Sequence, residues 1–93
     1  MDGAGVAKAP KYPIRESATA RALAFNVERH RKSKNWSQEE LAAEAGITQD
    51  MVSTIENNRA NPTVLTVEQI AEALGINFVD LFAPPPRSQR SKA

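Results

Sequence analysis

Residues 35–62, NWSQEELAAEAGITQDMVSTIENNRANP, write two short helices joined by a tight turn. Glu40 follows Ser37 by three residues, so the serine hydroxyl can accept from the Glu40 amide while the glutamate reaches back to the serine amide. That is a capping box, and it satisfies orphan N–H groups at a helix start. Trp36 and Leu41 stand at the staple positions around the cap, and Leu41, Ala42 and Ala45 recur at helical spacing to give one buried stripe. Gly46 takes the left-handed conformation that stops such a helix most readily. Thr48 then caps a second helix, Ile47 and Val52 form a second staple pair, and Val52 and Ile55 turn inward. Gln49, Asp50, Ser53 and Thr54 are left on the outer face.

Upstream, the pattern predicts a helix from near Ser17 to about Ser33, with Ala20, Leu23, Ala24, Val27 and Arg31 on one side. Residues 1–16, containing Gly3, Gly5, Pro10 and Pro13, lack periodicity and read as a flexible N-terminal arm. Downstream, Asn57 and Asn58 tolerate the left-handed conformation that ends the third helix, and Asn61-Pro62 extends the link. A fourth helix follows from a Thr63 cap, with Val64, Val67, Ile70, Ala71 and Leu74 inward and Gly75 as its stop. A short fifth, capped by Asn77 and stapled by Ile76 and Leu81, turns Phe78 and Leu81 to the core. Pro84-Pro85-Pro86 forbids further helix and begins a basic tail over 84–93. The expected architecture is all-α: a compact five-helix domain over 17–83 between an arm and a tail.

A chain of 93 residues makes one domain and buries only ~60% of its unfolded surface, which leaves little room for an enclosed active site. The absence of cysteine removes disulfides, thiolate metal sites and cysteine nucleophiles, and suits a reducing cytoplasm. No apolar run approaches the roughly 18 residues that span a bilayer, and the first residues lack a signal peptide's hydrophobic centre. The net charge of +1 is unevenly spread: residues 17–83 hold six basic and nine acidic side chains, and the basic excess lies at the two ends. Coating DNA by charge alone is therefore not the expectation, and specific contacts matter more. No paired carboxylates, triad or phosphate loop appears, and Glu39-Glu40 belongs to a helix start, so the chain is not expected to be an enzyme or to hold a metal or cofactor.

The ordered set S-Q-E-E-L-A, Gly-Ile-Thr, I-E-N-N-R, N-P and I-A-E-A-L-G-I-N, running from about Leu23 to Leu81, resembles the Cro-repressor and lambda-repressor-like helix-turn-helix domains, the XRE family. The resemblance implies a third helix lying in the DNA major groove with its N-terminal residues at the base edges. It makes Gln49 the candidate for direct readout, since a glutamine amide can bond bidentately to adenine. Asp50 has two readings: acceptor from cytosine N4, or complement to the helix dipole. Ser53 and Thr54 reach bases only if the helix sits deep. Gln38 is placed to contact a phosphate and to brace Gln49, and Lys34, Asn35, Asn57, Arg59 and Asn61 fall where the family touches the DNA backbone. The family also pairs an arginine late in the first helix with a glutamate late in the third, here Arg31 and Glu56.

The chain departs from the family pattern at His30, where leucine is usual. With no cysteine and no second histidine, a half-buried or solvent-tilted imidazole is expected there rather than a metal ligand. Leu65, Val79 and Phe82 read as an exposed apolar patch suited to dimerisation, with a locally covered patch as the alternative. The functional expectation is a sequence-specific, cytoplasmic, nucleoid-associated transcriptional regulator that binds a palindromic operator in double-stranded DNA as a homodimer. Alternatives are an antitoxin-type module that clasps a protein partner, and a restriction-modification controller.

Overall fold

The hydroxyl of Ser17 accepts from the Ala20 amide at 3.1 Å and opens α1 (Ala18–Ser33). This computed structural model describes residues 17–86; the expected arm over 1–16 and tail residues 87–93 lie outside them. Next come α2 (Gln38–Ala45), α3 (Gln49–Glu56), α4 (Val64–Leu74) and a 3-10 helix, Phe78–Phe82. Every start uses the side chain that the sequence nominates. In the Ser37 capping box, the Glu40 amide donates to Ser37 Oγ at 3.0 Å and the Ser37 amide to Glu40 Oε1 at 2.7 Å. Thr48, Thr63 and Asn77 accept from the amides of Met51, Thr66 and Val79. The ends depend on left-handed residues: Gly46 at φ 74°, Gly75 at φ 72°, and Asn58 at φ 59°.

The fifth expected helix is a 3-10 turn. Its bonds run over three residues, Asp80 N–H to Asn77 carbonyl at 2.9 Å and Ala83 N–H to Asp80 carbonyl at 3.3 Å. Between the Asn77 cap and Pro84 there is room for little more than one turn, a length at which the tighter 3-10 winding is common.

Leu23, Val27, Leu41, Val52, Ile55, Val67, Ile70, Leu74 and Leu81 form the core, and each burial contributes about 1.5–3 kcal/mol. Helix α1 packs on α3 and on the 3-10 helix, while α2 packs on α3 and α4. Contact on two sides explains why the buried face of α1 is wider than its apolar stripe, taking in Ala22 and Asn26. Val64, expected inward, is 64% exposed. It is the first residue of α4, whose buried face begins only at Val67, so helical spacing alone did not place it.

Asn26 is buried among the core residues at 1% exposure. Its Nδ2 donates to the carbonyls of Leu81 at 3.0 Å and Ala83 at 2.8 Å, and its Oδ1 accepts from Arg29 Nη2 at 3.3 Å. One amide thus ties the end of the chain's fold to α1. Replacing Asn26 with alanine should cost roughly 1–3 kcal/mol, because a buried carbonyl would be left without a donor. Urea unfolding measures this, and hydrogen exchange should show the loosening centred on residues 81–83.

Candidate nucleic-acid interface

The turn between α2 and α3 is built from Gly46, whose N–H donates to the Ala42 carbonyl, and from the Ile47 N–H, which donates to the same oxygen at 3.0 Å. Gln69 of α4 donates to the Ala45 carbonyl at 3.2 Å and pins the turn from behind. A Cβ on Gly46 would meet Gln69 Nε2 at 3.7 Å, so the positive φ, not space, is what favours glycine here.

Behind the outer face of α3 lies a continuous polar chain. Arg31 Nε and Nη2 donate to the two Glu56 oxygens at 2.7 and 2.9 Å, a bidentate pair whose side chains are 10% and 4% exposed. Arg31 Nη1 also donates to the Trp36 carbonyl at 2.7 Å. Glu56 Oε1 accepts a further bond from Gln38 Nε2 at 3.0 Å, and Gln38 Oε1 accepts from Gln49 Nε2 at 3.3 Å. The hydrogen bonds that Arg31 donates to Glu56, ahead of the opposing cost of burial, raise the Arg31 pKa above its ordinary value, so the guanidinium stays charged.

Gln49 and Asp50 are exposed in the first turn of α3, each with its side chain at the positive end of the helix. Ser53 and Thr54 are only half-exposed. The Thr54 hydroxyl donates back to the Met51 carbonyl at 3.0 Å, and Ser53 Oγ accepts from Asn57 Nδ2 at 3.3 Å. Around this helix Lys34, Asn35, Asn57, Arg59 and Asn61 are exposed, and Gln38 is half-buried. Lys34 rests over the Trp36 ring at 5.1 Å, and Asn35 holds φ 60°, a backbone role that residue type alone does not reveal. Asn57 is the C-cap of α3, while Asn58 takes the left-handed position.

Leu65 and Val79 are 65% and 68% exposed, and Val64 joins them. Phe82 differs: it is half-buried, packs on the core and meets the Phe78 ring edge-on at 5.4 Å. That aromatic contact, with a residue four positions away, explains why Phe82 does not stand out with the others. His30 is half-buried beside Arg29, whose Nη2 lies 3.4 Å from Nε2. Burial first, and the Arg29 charge second, lower its pKa below 6.5, partly offset by Asp80.

Sequence reasoning missed the Trp36 carbonyl as an Arg31 acceptor and Gln69 as a brace for the turn. Both interactions end on backbone oxygens, which every residue carries, so the sequence holds no signal for them. Among the described residues no cluster of three metal-ligating side chains occurs, and no helix is long and apolar enough to cross a membrane. An open cleft of about 600 Å³ lined by Ala18, Phe25, Phe82 and Pro85 brings no pair of titratable groups together.

Two capped helices across a glycine turn, with an exposed polar first turn on the second, define a helix-turn-helix DNA-binding domain. The model of the helix-turn-helix family HTH_3 matches residues 27–81, and the chain belongs to this family of DNA-binding transcription regulators. It is 42% identical over 59 residues to y4dJ of Sinorhizobium fredii, an uncharacterized HTH-type transcriptional regulator, over 63% of this chain and 77% of that protein. The crystal structure of the hypothetical transcription factor NHTF from Neisseria superposes with a TM-score of 0.72 at 32% identity, covering 91% of this chain and 97% of that one. The restriction-modification controller C.Esp1396I, solved as a tetramer in complex with its natural 35 base-pair operator, superposes with a TM-score of 0.66 at 30% identity, covering 72% and 88%.

Two outcomes are expected. Arg31→Ala strands the nearly buried Glu56 carboxylate and should destabilise the domain by about 3–5 kcal/mol, measured by thermal or urea unfolding. For His30 the folded pKa lies below the unfolded one, so the unfolded chain binds the proton more readily and stability falls as pH drops through 6.5 toward the lower folded value. Melting temperatures between pH 7.5 and 5.5, compared with His30→Gln, should show that decline in the parent and a smaller one in the variant.

Proposed function

We propose that this chain is a sequence-specific transcriptional regulator that binds a palindromic operator as a homodimer. The observation that carries the reading is Gln49: exposed at the N-terminus of α3 and held by Gln38, it is oriented for a base edge in the major groove. Asp50 lies beside it as a second base-facing group, with Ser53 and Thr54 further along the helix and in smaller part. Gln38, Lys34, Asn35, Asn57, Arg59 and Asn61 serve the phosphates on either side. The DNA-binding domain is assigned to 17–83, and a cytoplasmic, nucleoid-associated location follows from such a role.

Leu65 and Val79, with Val64, supply exposed apolar side chains for pairing two copies, which would set their α3 helices about one DNA turn, ~34 Å, apart. The operator-bound C.Esp1396I assembly supports oligomeric binding. That likeness also favours a second reading within the same class, a controller of a restriction-modification operon. No observation favours the antitoxin-type alternative.

Selection of bound sites from random double-stranded DNA at physiological salt, with sedimentation alongside, tests the proposal. The expected result is a palindromic motif recovered by a dimer. Gln49→Ala should weaken binding to that motif by roughly 1–3 kcal/mol and relax one position in each half-site, with an unchanged melt. Recovery of no motif, or a monomer that binds only at low salt, would refute it.

A further inference from the structure

The polar chain behind α3 has a direction, and that direction bears on which purine Gln49 accepts. A carboxylate paired with a guanidinium is an acceptor only, so the Gln38 atom 3.0 Å from Glu56 Oε1 must be the amide nitrogen. Gln38 therefore turns its oxygen toward Gln49, and the Gln49 atom 3.3 Å from it must in turn be nitrogen. What remains for DNA is the Gln49 oxygen and one N–H, with their positions set.

We infer that Glu56, acting through Gln38, is the positioning residue that fixes the amide sense of Gln49 and so selects adenine over guanine. The inference rests on the proposal that Gln49 is the base-contacting residue. In the major groove adenine offers an N6 donor beside the N7 acceptor, which matches a carbonyl oxygen and an N–H side by side. Guanine offers two acceptors, O6 and N7, so the fixed Gln49 oxygen would face O6, lone pair against lone pair. Rotating the amide to serve guanine would set the Gln49 oxygen against the Gln38 oxygen, and reversing Gln38 in turn would set its oxygen against the carboxylate. Each reversal moves the mismatch one step back until it reaches Glu56, which Arg31 holds on both oxygens. The second N–H of Gln38 stays available to a phosphate, so one side chain joins the backbone contact to the base contact.

The direct variant, Glu56→Gln, disturbs the Arg31 pair, so Gln38→Met is the decisive one: it keeps an unbranched helix-forming side chain and leaves Arg31 and Glu56 in place. Site selection and competition binding on double-stranded DNA would be run with the parent, Gln38→Met, Glu56→Gln and Gln49→Ala, each with its melt. At the position whose preference Gln49→Ala erases, the parent should favour adenine, and the adenine-to-guanine ratio should fall about tenfold in Gln38→Met, in line with one bidentate pair. Loss of the Gln38 phosphate contact lowers affinity for all sequences alike and leaves that ratio untouched, so a purely supporting role predicts no change in it. An unchanged ratio in a cooperatively melting Gln38→Met overturns the inference while the base-reading role of Gln49 stands. A Gln49→Ala motif identical to the parent's removes both.

Discussion

The bidentate bond between Arg31 and Glu56 is the constraint to which the rest of the domain refers. It joins the last turn of α1 to the last turn of α3, and through the Trp36 carbonyl it also holds the connection into α2. A nearly buried ion pair contributes little net stability, because removing two charges from water costs about as much as their attraction returns. Its effect is directional. The planar fork of the guanidinium accepts one orientation of the carboxylate, so α3 is fixed in rotation about its own axis. Apolar packing of Val52 and Ile55 would tolerate a few degrees of roll, whereas the two parallel bonds do not. The turn of the helix that meets solvent, and anything it meets there, is set by charges on the opposite side.

How far the sequence disclosed this structure depended on the range of each interaction. Caps act over two or three residues and glycine stops over one, so Ser37, Thr48, Thr63, Asn77, Gly46 and Gly75 could be assigned by their immediate neighbours. Stripes of apolar residues in α2 and α3 were equally legible, since Leu41, Ala42, Ala45, Val52 and Ile55 repeat at the helical period. Asn26 was not legible. The carbonyls that its amide nitrogen serves are 55 and 57 residues away and belong to the backbone, so the sequence around it does not mark a buried amide. Val64 failed for the opposite reason: its spacing fits the stripe of α4, but the buried face of that helix begins only at Val67. The last helix shortened to a 3-10 turn because Pro84 limits the chain length available, a consequence of a residue outside the element.

The candidate site divides along the same line. Resemblance to a family pattern paired Gln38 with Gln49 and Arg31 with Glu56, but not Gln38 with Glu56; separations of 11, 25 and 18 residues carry no local signal. The structure brings those four into one hydrogen-bonded chain. It does not bring Phe82 out beside Leu65 and Val79, because an edge-on contact with Phe78 competes for that ring. Thr54 likewise turns its hydroxyl into its own helix rather than outward.

Those local commitments limit how much DNA one domain can read. With Thr54 bonded to the Met51 carbonyl and Ser53 shared with Asn57, the exposed polar side chains of α3 are those of its first turn, Gln49 and Asp50. A matched base pair contributes roughly 1–3 kcal/mol of discrimination, so if Gln49 and Asp50 read bases as proposed, a surface of that size distinguishes sites by only a few kcal/mol. Long-range attraction adds little, because six basic side chains face nine acidic ones across residues 17–83. Selective binding among a genome's competing sites then needs the same contacts twice, which is what pairing two copies over a palindrome provides. On the proposed function, the exposed Leu65 and Val79 and the sparse outer face of α3 answer to one requirement: a domain that reads few bases gains its selectivity by reading them as a pair.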